Sequence, residues 1–198
     1  MSKPYSEKQL DALKEVINIG GGHAATSISQ LIEKPVHMTV PVIEALSYEE
    51  IFEQIMTEDT IVKAVLTKIL GDAPGAFLFV GKQEDLNDVA KMMLPVDIAA
   101  DEEMTNSALK ELVNIIVNAF LNAVTKLLDL QLLSSVPLLT RDLFGSIVSS
   151  VYLEQGQYDD TILIIKLEFF YMGNRVESSL YYVPQSRNLE KLFALLGV

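Results

Sequence analysis

Glu15 and Asn18 stand three residues apart in "DALKEVIN" (11–18), and Glu111 and Asn114 repeat that spacing in "SALKELVN" (107–114). Core residues exchange among Val, Ile and Leu at little cost, and polar residues on a solvated helix face are freer still. A Glu and an Asn kept in both copies therefore argue that two copies of something chemical are being held. Other chemistry has little to draw on. There is no cysteine, which excludes disulfides and thiolate zinc sites, and with His23 and His37 the only histidines a metal site or a histidine-based triad has little to draw on. Thr26, Ser27 and Ser29 lie in no nucleophile-elbow context. The "GGG" at 20–22 follows no strand and ends in no Gly-Lys-Ser/Thr, so it is not a phosphate loop.

These residues need a helix to share a face. At about 100° per residue, with Asp11 as zero, Glu15 falls near 40°, Asn18 near −20° and Gly22 near 20°. Leu10, Leu13, Ile17, Ala24 and Ile28 fall roughly opposite, so one side is buried and Asp-Glu-Asn is presented on the other. The second copy gives the same stripe from Ser107, Glu111, Asn114 and Asn118. Charged and amide residues on such a face are ordinarily mere solvation. Asn is a mediocre helix former, however, and its recurrence at one offset from Glu weakens that reading. Lys14 and Lys110 also match but lie beside the stripe, as solubility residues. Gly20 and Gly21 point to the buried side, where another helix could come close; Gly22 lies on the stripe and leaves room for a partner.

The duplication extends beyond the motif. A shift of 96 residues also aligns Leu31 with Leu127, Val40 with Val136 and Pro41 with Pro137. Each half reads in the same order. A long helix (6–33, 101–129), entered in the first copy through a Ser6/Gln9 capping box, leads to a short strand (36–40, 132–136). A β-hairpin follows, "IVKAVLTKIL" to "AFLFV" and "TILIIKLEFFYM" to "RVESSLYYV", then a closing helix (84–94, 186–196). Segments 42–56 and 138–151 are ambiguous, the first expected to be partly helical. Three strands per half with short connections favour an α+β fold of two pseudo-symmetric halves, about 1–98 and 99–198. In it two long motif helices pack on a largely antiparallel six-stranded sheet. Neither half alone covers both faces of its sheet, so 1–198 is expected to be one domain.

Fifteen Lys+Arg against 27 Asp+Glu give a net charge of −12 over 198 residues, and 49% hydrophobic residues suffice for a substantial core. Phosphate backbones and anionic leaflets would repel such a chain, so neither nucleic acid nor membrane is expected as a partner. No apolar run approaches the roughly 18 residues of a spanning helix, and MSKPYSEKQL is no signal peptide. A cytoplasmic protein is expected.

The pattern Asp/Ser-x-x-x-Glu-x-x-Asn, present twice, resembles the signature of the CheC-type chemotaxis phosphatases, the CheC/CheX/FliY family. "NIGGGHAATSISQLI" is similar to that family's first helix. The resemblance implies a hydrolase acting on a protein, the phosphorylated CheY-type response regulator, with its phosphate on an aspartate beside the regulator's own Mg²⁺ and no cofactor in this chain. Carried over by residue, it implies that Glu15 and Glu111 engage a lysine at the regulator's active site. Asn18 and Asn114 would orient water for in-line attack on phosphorus. Asp11, Ser107, Gly22 and Asn118 would lie where the partner docks. Phosphoryl transfer rewards positioning over a covalent nucleophile, and an amide can both accept from and donate to a water without a shifted pKa. The alternative is a non-enzymatic scaffold of the flagellar switch, like the FliM middle domain, which lacks the motif, or an adaptor that binds the deamidase CheD. Two departures from the family pattern stand out. Ile17 and Val113 precede the motif Asn where Gly is common, and Asn118 replaces Gly22, so the second site is expected to be the more crowded.

Overall fold

Ser6 opens the first helix. In the computed structural model, which describes residues 5–95, 101–155, 161–171, 174–185 and 188–198, its hydroxyl accepts from the Gln9 N–H while the Gln9 side chain accepts from the Ser6 N–H. That reciprocal cap starts α1 (Glu7–Ile32), which ends on Glu33 in the left-handed region at φ 55°. Helix α4 (Glu102–Leu128) is built alike: Asp101 accepts from the Met104 N–H, and Asp129 closes it at φ 52°. The expected boundary between halves near 98, the Gly173 turn and the 186–187 start of the last helix lie outside the described residues.

After each long helix the chain enters the sheet. The strands are β1 (Val36–Thr39), β2 (Ile43–Ser47), β3 (Ile61–Gly71), β4 (Gly75–Gly81), β5 (Leu132–Ser134), β6 (Leu138–Leu143), β7 (Thr161–Tyr171) and β8 (Asn174–Pro184). All described pairings are antiparallel, in the order β1-β7-β8-β4-β3-β5, with β2 also on β7 and β6 also on β3. Among the described residues the sheet thus has eight strands, not six. The expected six describes positions, and each outer position is filled by a broken strand. The break falls at Val40-Pro41 and at Val136-Pro137, because proline cannot donate to a ladder. At both breaks the outer strand carries one residue more than its partner (39 to 43 against 168 to 165, and 134 to 138 against 69 to 66), a bulge repeated in the two halves. The edge strands are exchanged: β1 and β2 lie on the second half's hairpin, β5 and β6 on the first half's.

Side chains alternate between two cores along each strand. One face, with Val65, Phe77, Phe79, Leu163, Leu167 and Phe169, packs beneath α1, α4, α3 (Gln83–Lys91) and α6 (Asn188–Leu196). The other, with Val62, Leu78, Val80, Ile164 and Tyr181, is covered by α2 (Tyr48–Gln54) and α5 (Phe144–Glu154). Covering both faces is why β4 reads as an uninterrupted apolar run. Helix α4 is long and apolar enough to cross a membrane, contrary to the expectation from sequence. Its apolar length faces protein instead: Leu112, Val113, Ile116, Val117 and Phe120 are all fully buried. Helices α1 and α4 cross where Gly20 meets Phe120; a Cβ on Gly20 would lie 2.8 Å from the Phe120 Cα. Lys63, on β3 and only 2% exposed, donates to Asn87 Oδ1 (2.9 Å) on α3 and Asn106 Oδ1 (2.8 Å) on α4. It ties the start of the second motif helix to the first half.

Candidate functional site

The structure brings each motif together as the helical spacing requires. Asp11 and Glu15 are exposed on α1, Asn18 is half-buried and Gly22 is open, with nothing within 4 Å of where a Cβ would stand. On α4, Ser107 and Glu111 are exposed, and Asn114 and Asn118 are half-buried. Among the described residues neither Glu15 nor Glu111 makes an ion pair with Lys or Arg. Two free carboxylates, held on rigid helices and facing outward, can each receive a cation. Ile17 and Val113, the departures from the family pattern before each Asn, are buried in the core and face no partner.

The amides are less exposed than expected, and each is anchored. Asn18 Oδ1 accepts from the Val40 N–H at 3.0 Å, while its Nδ2 lies 3.5 Å from the Val40 carbonyl, at the limit of a hydrogen bond. Val40 sits in the bulge between β1 and β2, where its peptide has no ladder partner; the Asn18 oxygen meets that need. In the second half the corresponding Val136 carbonyl is met by the Ser135 hydroxyl at 3.3 Å, and the Ser135 N–H donates to the Lys68 carbonyl. The Asn114 oxygen takes another donor. Asn118 supplies it: its Nδ2 donates to the Asn114 carbonyl and to Asn114 Oδ1, both at 2.8 Å, while the Ser134 hydroxyl donates to Asn118 Oδ1 at 2.9 Å. Asn118, expected to crowd a partner, has its side chain held against α4. Its side chain folds back along the helix and shares the Asn114 carbonyl with the helix's own backbone N–H.

The second site lies beside a recess. Ser107, Lys110, Glu111 and Asn114 line it, and its far wall is Ser134, Ser135, Val136 and Pro137. Val136 is 81% exposed there, whereas its counterpart Val40 is 1% exposed and closed beneath α1. The sequence offered a signal for this wall, the aligned Val-Pro pairs, but as a mark of duplication and not as part of a site. The described residues hold no group of three or more His, Cys, Asp or Glu placed for a metal ion.

Comparison with known proteins gives this arrangement a family. Residues 9–44, which carry the first motif and its bulge, match the CheC-like family. The chain is 30% identical over 198 residues to the CheY-P phosphatase CheC of Bacillus subtilis (strain 168), covering 96% of this chain and 95% of that protein. The fold superposes on FliY of Thermotoga maritima with a TM-score of 0.74 at 18% identity, over 98% of both chains. It superposes on the FliM middle domain of H. pylori with a TM-score of 0.65 at 8% identity, over 96% of this chain and 99% of that one. With a full-length relative at 30% identity and both motifs in place on this fold, the chain belongs to the CheC-like family.

Proposed function

We propose that this protein is a chemotaxis phosphatase that hydrolyses the aspartyl phosphate of a CheY-type response regulator, using Glu15 with Asn18 and Glu111 with Asn114. The name of its B. subtilis relative supports the reaction class. The observation that carries the residue assignment is the pairing, twice, of an unpartnered outward carboxylate with an amide held by its oxygen. Glu15 or Glu111 engages a lysine beside the regulator's phosphoaspartate and sets the docking angle. The adjacent Asn binds a water through its NH₂ and its remaining oxygen lone pair. The water oxygen attacks phosphorus in line, the bond to the aspartyl oxygen breaks, and the carboxylate leaves with the regulator while inorganic phosphate departs. Mg²⁺, on this reading, is the regulator's own. Asp11 and Ser107 support the docked partner.

The test is the decay of a phosphorylated CheY-type regulator with and without this protein. Asn18→Ala combined with Asn114→Ala should return decay to its unassisted rate. Glu15→Gln with Glu111→Gln should weaken binding to the phosphorylated regulator more than the Asn changes do, because the carboxylate acts in docking and the amide in the transition state. Full activity in a folded double Asn variant would leave a scaffold as the function.

A further inference from the structure

Two unrelated donors reach the same atom of the two motif amides. In the first half the donor is a main-chain group, the Val40 N–H on Asn18 Oδ1. In the second it is a side chain, Asn118 Nδ2 on Asn114 Oδ1. The orientations follow from chemistry. A backbone N–H can only donate, so the atom of Asn18 facing Val40 is the oxygen. The Asn114 carbonyl can only accept, so the Asn118 atom upon it is nitrogen, and the Asn114 atom sharing that NH₂ must be oxygen. Ser134 donates to the other end of the Asn118 amide and completes the chain. The first half has no such side chains: Gly22 stands for Asn118, and the buried Met38 stands for Ser134.

We propose that Asn118, backed by Ser134, is a positioning residue of the second site. It holds Asn114 by its oxygen, so that the Asn114 NH₂ faces the water and the phosphoryl group. This rests on the phosphatase reading above. Asn118 touches neither reactant; it replaces in the second half what the bulge peptide does in the first. An amide without this hydrogen bond is free to turn its oxygen toward an anionic phosphoryl group or to swing off the line of attack, and orientation of this kind is where phosphoryl-transfer catalysts gain their rate.

The experiment is run in an Asn18→Ala background, so that only the second site acts. The substrate is a CheY-type receiver domain phosphorylated with acetyl phosphate and Mg²⁺. Asn118→Ala should lower kcat roughly five- to tenfold, the effect of one neutral hydrogen bond, with KM unchanged. Ser134→Ala should lower it less. Asn118→Asp is the decisive variant. Nearly isosteric, it would spare packing, yet its carboxylate accepts from the Asn114 NH₂ and turns the amide over, so it should be slower than Asn118→Ala. A role in structure alone would instead lower kcat only as far as thermal melts of the same variants show folded protein to be lost. The proposal is overturned if kcat rises or holds in Asn118→Ala, or if Asn118→Asp is the milder change. Asn114→Ala in the same background separates the two readings. If it leaves decay unchanged, the phosphatase assignment of this site fails; if it abolishes decay while the Asn118 variants match their parent, only the positioning role fails.

Discussion

Removing the Asn18 amide leaves the Val40 N–H without its acceptor, in a bulge where no strand can supply another. Asn114 has no such duty: the corresponding Val136 is 81% exposed, so water can reach its peptide, and the Asn114 oxygen takes Asn118 instead. Asn18→Ala should therefore cost about 1–3 kcal/mol of stability and lower Tm by several degrees, whereas Asn114→Ala should shift it by less. Thermal melts of the two single variants decide this; equal shifts would remove the structural duty assigned to Asn18. The Glu and Asn were legible in the sequence because they recur. The partners of the amides were not. The Asn18–Val40 bond depends on where a bulge leaves a peptide unpaired, and Asn118 looked like an intrusion on the partner until its hydrogen bonds turned it inward.

At the scale of the elements, two glycines a half-turn apart on α1 should answer substitution in opposite ways. A Cβ at Gly20 would stand 2.7 Å from a Phe120 ring carbon and 2.8 Å from the Phe120 Cα. The ring can yield but the backbone cannot, so α1 and α4 must separate. Gly20→Ala should destabilise by roughly 1–3 kcal/mol, because the overpacking exceeds the helix propensity gained. Gly22 meets nothing within 4 Å, so Gly22→Ala should add up to about 1 kcal/mol. Denaturant melts check both signs, and a stabilised Gly20→Ala would mean that the crossing is looser than described. The inward and outward glycines could be read from helical angle alone. So could the order of helices and hairpins, since each has a strong period. Part of 42–56 reads as helical, and α2 lies there; the rest of it and 138–151 could not be read, because a proline-broken strand runs directly into a short helix and no apolar period is sustained long enough to show.

For the molecule as a whole, adjacent tyrosines on β8 face the two cores, Tyr181 beneath α5 and Tyr182 beneath α1 and α4. Burial pushes both phenols well above their ordinary value, with a hydrogen bond to Ser179 only partly offsetting this at Tyr181. Folded phenols keep protons that unfolded ones release near pH 10, so stability is intact below that pH and lost as pH rises through and beyond it. The slope is up to about 1.4 kcal/mol per pH unit for each group. Lys63 works the other way. Burial lowers its pKa, so the unfolded chain holds the extra proton up to about 10.5 and stability gains with pH in that window. Two phenols outweigh one amine above pH 10. Denaturant melts from pH 8 to 11 should show an alkaline fall that Tyr181→Phe with Tyr182→Phe flattens; an unchanged slope would place the fall elsewhere.

The exchanged edge strands also set an order in time. Val36 pairs with Tyr171 and Ile43 with Ile165, so as the chain leaves the ribosome the first motif helix and its edge strand are made long before the strand that receives them. The β3–β4 hairpin can close on itself at once, but both of its open edges must wait, one for β5 and β6 and the other for β8. Such distant pairings make folding slow and leave apolar strand edges uncovered meanwhile. A nascent first half is therefore the stage at which this protein is most exposed to aggregation and most in need of a chaperone.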